Sequence, residues 1–76
     1  MEKLRIISYD PCYYDKNSYM IVGQWIEDPT DEDLNSLINQ KFYFQGIEYQ
    51  TWCIKHINLF KKDGTVTLLA LRLGRN

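Results

Sequence analysis

The chain has 76 residues, of which 45% are hydrophobic and 14% aromatic, and its formal net charge is -1. A chain this short buries only about 60% of its unfolded surface, so we expect residues 1–76 to form a single domain. The near-neutral charge excludes the strongly basic character of a general nucleic-acid binder. No apolar run approaches the roughly 18 residues that span a bilayer, and the start of the chain lacks the pattern of a signal peptide, so we expect a cytoplasmic protein with no membrane contact.

Two strands are predicted first. Residues 3–9, KLRIISY, are rich in β-branched and aromatic residues and predict a strand. Residues 10–17, DPCYYDKN, predict a loop, because Asp, Pro, Lys and Asn in this arrangement favour turns. Residues 18–26, SYMIVGQWI, are largely apolar on both faces, which indicates a strand inside the sheet.

One short helix is predicted after these strands. Thr30 is expected to be its N-cap, with Asp33 at the third helical position of a capping-box pattern. Leu34, Leu37 and Ile38 follow at helical spacing and form one apolar stripe. The helix should be about ten residues long and should depend on packing, since isolated helices of this length are marginal in water.

Three further strands follow the helix. Residues 41–44 and 65–73 are predicted as strands, and Gln45-Gly46 and Asp63-Gly64 as the turns that flank a third strand over residues 47–60. The run 47–60 also fits a helical stripe, but most of its residues have modest helix propensity, so a strand is favoured.

The element order β-β-α-β-β-β predicts an α+β fold. We expect a strongly bent five-stranded antiparallel sheet or an SH3-like partial barrel with one short helix, and a flatter sheet capped by the helix is the alternative. Residues 8–15, SYDPCYYD, are similar to the aromatic and acidic start of Src-homology-3 domains. The paired tryptophans and the later Pro-Tyr element of that family are missing, so neither membership nor a proline-peptide site is predicted.

Residues 51–56, TWCIKH, are the candidate chemical site. Strand side chains alternate, so Cys53 and His56 should face opposite sides of the sheet and could not pair as nucleophile and base. Only a β-bulge near residues 52–54 would restore a shared face. A metal site would need further ligands, and Cys12 lies in a distant loop. We therefore expect no catalytic residue, no metal and no cofactor, with both cysteines reduced.

Two features predict a surface for a partner protein. Acidic residues surround the helix start, where they stabilise the helix dipole and would also steer a basic partner. These are Glu27, Asp28, Asp31, Glu32 and Asp33. Tyrosines near the first loop either cover the core or supply aromatic anchors for binding. These are Tyr9, Tyr13, Tyr14 and Tyr19. The sequence thus predicts a non-enzymatic protein-binding module, with an accessory or inhibitor role, including one of phage type, as the expected class.

The alternative function is single-stranded nucleic-acid binding by a small β-barrel. Residues 1–40 hold eight acids and three bases, whereas residues 41–76 hold two acids and six bases. The basic residues of the second half are Lys41, Lys55, Lys61, Lys62, Arg72 and Arg75. Nearby aromatic rings would stack on bases between these cations. The same residues would also solubilise a hairpin tip and protect a sheet edge. A homodimer through an exposed edge strand is a third arrangement.

Overall fold

The computed structural model describes residues 3–13 and 15–75, with the side chains of residues 15 and 75 outside that description. Its elements follow the predicted order β-β-α-β-β-β. They are β1 (Leu4–Cys12), β2 (Asp15–Trp25), α1 (Asp31–Asn35), β3 (Lys41–Phe44), β4 (Ile47–Ile57) and β5 (Thr65–Arg75). Within the described ranges no helix is long and apolar enough to cross a membrane.

The five strands form one antiparallel sheet in the order β1-β2-β5-β4-β3. β5 comes last in the chain but lies at the centre of the sheet, between β2 and β4. β1 and β3 are therefore the two edges. The sheet bends into a half-barrel, and the rings of Tyr9 on β1 and Phe44 on β3 meet with centroids 5.0 Å apart. The predicted bent five-stranded antiparallel sheet is confirmed.

The inner face of the half-barrel holds the core in two clusters. The helix cluster packs beneath α1 and contains Leu4, Trp25, Leu37, Val66 and Leu68. The ring cluster fills the other end and contains Ile21, Phe42, Tyr49 and Ala70. Both clusters use alternate residues of β2 and β5, because side chains two apart in a strand share a face.

α1 is shorter than predicted, with five residues instead of about ten. The predicted capping box is confirmed, since the Asp33 amide donates to Thr30 Oγ1 at 3.2 Å and the Thr30 amide donates to the Asp33 carboxylate at 2.8 Å. Residues 36–39 form turns, and Asn39 adopts a positive φ of 62° that a helix does not allow. Leu37 is buried although it lies beyond the helix.

The buried Thr51 holds the segment after α1 against the sheet. Its hydroxyl donates to the Leu37 carbonyl and accepts from the Gln40 amide at 3.0 Å. Thr51 has no exposed surface. These bonds satisfy backbone groups that would otherwise be buried without partners.

The prediction of a loop over residues 10–17 is wrong. β1 continues to Cys12 and β2 already begins at Asp15, so most of this stretch forms a hairpin. Pro11 pairs with Tyr19 in the ladder. A proline is tolerated here because β1 is an edge strand and needs no hydrogen bonds on its outer side.

The connection between β4 and β5 is longer than predicted, since β4 ends at Ile57 and not at residue 60. The predicted Asp63-Gly64 turn is present, and Asp63 adopts a positive φ of 70°. A Cβ atom at Gly64 would overlap the carbonyl oxygen of Leu59. Glycine is therefore required there by close packing of the backbone.

Candidate partner-binding surfaces

The acidic residues near α1 are divided between structural contacts and open positions. Lys3 Nζ donates to Asp33 Oδ2 at 2.7 Å and lies 3.7 Å from Glu27 Oε1. Two hydrogen bonds hold the pKa of Asp33 below its usual value. The bond from Lys3 has the larger effect, and the bond from the Thr30 amide has the next largest. The same contact with Asp33 raises the pKa of Lys3. Asp33 therefore fixes the start of β1 to α1.

Asp28 also has a structural contact, because its Oδ1 accepts from the Lys62 amide at 2.9 Å. This bond ties the segment before α1 to the β4–β5 connection. Asp31 and Glu32 are exposed and form no ion pair or side-chain hydrogen bond with any described residue. These two carboxylates are the members of the acidic group most available to a partner.

A cleft lies where α1 meets the start of β1. It has a volume of about 320 Å³, and it is lined by Lys3, Leu4, Trp25, Asp33, Ser36, Leu37 and Gln40. Trp25 is 2% exposed, and its Nε1 has no hydrogen-bond partner among the described residues. Sequence reasoning missed this cleft, because it depends on packing between residues about thirty positions apart that no local pattern reveals.

The predicted tyrosine group does not form one surface. Tyr9 and Tyr19 belong to the mouth of the half-barrel, with ring centroids 5.9 Å apart, and Tyr19 meets Tyr49 at 5.5 Å. The Tyr9 hydroxyl donates to Gln45 Oε1 at 3.3 Å. Burial raises the pKa of the Tyr49 hydroxyl. Tyr9 and Tyr19 therefore cover the ring cluster, and Tyr14 lies outside the described residues.

Tyr13 has a different environment, because it is 97% exposed in the turn between β1 and β2. It lines a groove on the outer face of the sheet together with Asp10, Pro11, Cys12, Met20 and Lys55. Met20 pairs with Leu69, which forms the buried part of this outer face. The sequence predicted Tyr13 as a binding residue but did not predict the groove. A loop was predicted over residues in which Asp10 and Pro11 in fact continue β1.

The acidic group and Tyr13 lie at opposite ends of β2. This strand has 11 residues, which corresponds to roughly 30 Å of extended chain. The predicted surface that joins the acids to the tyrosines is therefore two separate surfaces. A single partner would have to span most of the molecule, whose longest dimension is 31 Å, to contact both.

The basic residues of the second half are also dispersed. Lys61 and Lys62 lie in the β4–β5 connection, where Lys62 Nζ is 3.5 Å from Asp63 Oδ2. Arg72 pairs with Tyr49 on the inner register of the sheet. Lys41 and Lys55 lie on the outer side, and the side chain of Arg75 is outside the described residues. No continuous basic groove joins the described members of the group.

The prediction that Cys53 and His56 face opposite sides is wrong. β4 is the predicted strand, but bulges at residues 52 and 55 interrupt its register. Cys53 pairs with Leu69 and His56 pairs with Thr67, so both lie on the outer face. Cys53 is half-buried and His56 is exposed, and no hydrogen bond joins them among the described residues. A nucleophile and its base need such a contact.

Potential metal ligands are scattered in the same way. In residues 3–13 and 15–75 no three histidine, cysteine, aspartate or glutamate side chains form a group that could hold a metal ion. Cys12 is buried and both cysteines are free.

Comparisons with protein-family models, curated proteins and solved structures gave no match to this chain. Arguments about its function therefore rest on its own surfaces.

Proposed function

We propose that this chain is a non-enzymatic module that binds another protein through Tyr13 and the adjoining groove. The observation that carries the proposal is the 97% exposure of a large aromatic ring beside an apolar depression. Exposed aromatic residues next to pockets are the usual anchors of protein interfaces, since they bury a large area at a low cost in conformational entropy.

The groove suits an apolar side chain of the partner. Pro11, Cys12 and Met20 supply an apolar lining, while Asp10 and Lys55 stand at its sides on different strands. Polar groups around an apolar centre resemble the rim that excludes water from an interface. In this proposal Tyr13 and the partner side chain bury one another.

The exposed carboxylates of Asp31 and Glu32 are proposed to steer a partner with a basic surface. Such charges raise the association rate and add little to the final affinity when they remain at the rim.

An accessory or inhibitor role, of phage type, and a cytoplasmic location belong to the same proposal. The α+β description and the SH3-like barrel are likewise proposed for the half-barrel.

The test compares matched tyrosine variants as baits in extracts of the native host. We expect the wild-type chain and Tyr43→Ser to retain the same protein, and Tyr13→Ser to lose it. Tyr43 is a suitable control because it is 59% exposed and lies on β3, away from the groove. Equal retention by Tyr13→Ser, or no protein retained above the bare matrix, would contradict the proposal.

The retained protein then allows a test of steering. Asp31→Asn with Glu32→Gln should slow association severalfold at low salt and flatten its salt dependence, with little change in the dissociation rate. Glu48→Gln with Asp63→Asn removes the same charge elsewhere and serves as the control. An unchanged association rate in the first variant would remove the steering role.

A second candidate function is single-stranded nucleic-acid binding on the outer face. It is favoured by the exposure of Tyr43 and Trp52, at 59% and 45%, and by Lys41 and Lys55, which lie on the same side as Tyr43. Bases stack on such rings and phosphates pair with the cations. Trp52 fluorescence should then be quenched by an oligonucleotide at low salt, and less so in Lys41→Gln with Lys55→Gln. Absence of quenching at low salt would remove this candidate.

A further inference from the structure

The two edge strands of the half-barrel face one another across an open seam. The Cα atoms of β1 all lie more than 8 Å from those of β3. At one end Tyr9 crosses the seam to the Phe44 ring and to Gln45. At the other end Leu4 and Gln40 line the same cleft. The two strands therefore lie side by side, with Leu4 level with the start of β3 and Tyr9 level with its end.

The direction of this seam suits one additional strand, and its width exceeds that of a direct strand pair. Neighbouring strands are about 4.8 Å apart, so β1 and β3 are too distant to pair, and a strand between them needs about 9.6 Å. Each step around the order β1-β2-β5-β4-β3 reverses the direction of the chain, so β1 and β3 run the same way. A strand antiparallel to both would complete an all-antiparallel barrel of six strands.

The side chains beside the seam define the sequence that would fit. Ile6 and Phe44 pack against the ring cluster on the inner face, so inward positions of the added strand should be apolar. Arg5 and Lys41 face outward at the same level on the two edges, and both are exposed. An outward carboxylate between them would have a cation on each side, and opposite charges on adjacent strands stabilise pairing.

We propose that the seam binds an extended segment of a partner protein in which apolar residues alternate with acidic ones. The segment donates and accepts backbone hydrogen bonds along the free edges of β1 and β3, and its side chains replace the contact of Tyr9 with Phe44 and Gln45. A second copy of this chain fits less well, since its own edge strands would bring Arg5 or Lys41 against like charges. The seam is separate from the Tyr13 groove, so this proposal stands even if that groove binds nothing.

The test uses a capped synthetic peptide in which valine alternates with glutamate, and a matched peptide with lysine in place of glutamate. Amide hydrogen exchange is followed by NMR in the intact chain. With the glutamate peptide, amides of β1 and β3 should exchange about tenfold more slowly, while the turn at residues 61–64 is unchanged. The glutamate peptide should bind about tenfold more tightly than the lysine peptide, through its contacts with two cations.

Charge reversal at the seam provides the decisive control. Arg5→Glu with Lys41→Glu should invert the preference between the two peptides, whereas Lys61→Glu with Lys62→Glu, an equal change in net charge, should preserve it. These side chains are all exposed, so the variants should fold. Equal binding of both peptides would overturn the proposal. So would unchanged exchange of the β1 and β3 amides at millimolar glutamate peptide. Protection of these amides that grows with protein concentration in the absence of peptide would also overturn it, because it would identify a second copy as the occupant.

Discussion

The inner and outer faces of the sheet are built from the same five strands but differ sharply in packing. Ile21 and Leu68 on the inner face have no exposed surface, whereas Leu71 and Tyr43 on the outer face are 37% and 59% exposed. The bend of the sheet and α1 close the inner face, whereas no element among the described residues covers the outer face. Apolar residues on the inner face hold the fold, whereas several on the outer face lie open to solvent.

The largest effect should come from a truncation on the inner face. Leu68→Ala is expected to lower the free energy of unfolding by about 2–5 kcal/mol, because it removes a fully buried side chain and leaves a cavity. Leu71→Ala on the outer face of the same strand should cost less than about 1 kcal/mol. Urea denaturation of both variants measures the contrast, and equal losses would show that the outer face is also packed.

The next effect concerns the polar link between α1 and the sheet. Thr51→Val keeps the shape of the side chain but removes the hydroxyl that contacts the Leu37 carbonyl and the Gln40 amide. Leaving these buried groups unpaired should cost about 1–3 kcal/mol. Thr67→Val on the outer register of β5 is the matched control and should be nearly neutral in the same urea experiment.

A smaller loss is expected at the start of the helix. Thr30→Ala removes the hydroxyl that accepts from the Asp33 amide, which should cost about 1 kcal/mol. Thr30→Ser retains an acceptor and should restore most of the loss. Thermal unfolding followed by circular dichroism compares the three proteins, and equal midpoints for the alanine and serine variants would mean that the cap contributes nothing.

The smallest effect is the dependence of stability on pH through Asp33. Its pKa is lowered in the folded protein from the usual 3.8, so its contribution is present above that value and is lost as the pH falls through the folded pKa. Lys3 has the opposite sign, since its pKa is raised and its contribution is lost at alkaline pH as the pH rises through the folded value. Asp33→Asn should flatten the acid side of the stability curve.

These contrasts show how much of the fold the sequence could predict. The element order, the capping box at Thr30 and the turns at Gln45 and Asp63 follow from local residue types, and all are present. The length of α1 could not be predicted, because residues 36–39 leave the helix under the tertiary contact between Leu37 and Thr51. The extension of β1 and β2 into residues 10–17 was missed because Pro11 suggests a loop, although an edge strand tolerates it.

The candidate sites were less predictable than the fold. Tyr13 is exposed and Tyr19 is half-buried, although both are aromatic residues near turn formers. The difference arises from tertiary packing. Cys53 and His56 share a face because of one unpaired residue, Lys55, whose bulge reverses the alternation of the strand. Bulges respond to the twist and bend of the whole sheet, so periodicity in one strand cannot locate them.

The central position of β5 has a consequence for how the protein acquires its structure. The ladder between β2 and β5 joins residues as distant as Ser18 and Leu71, so the sheet cannot be completed until the last strand has left the ribosome. Until then the hairpins β1–β2 and β3–β4 have no partner between them and expose their apolar faces to other nascent chains. Sequence-distant pairing of this kind also slows folding toward the millisecond-to-second range. The interval before β5 emerges is therefore the stage at which this chain is most exposed to aggregation.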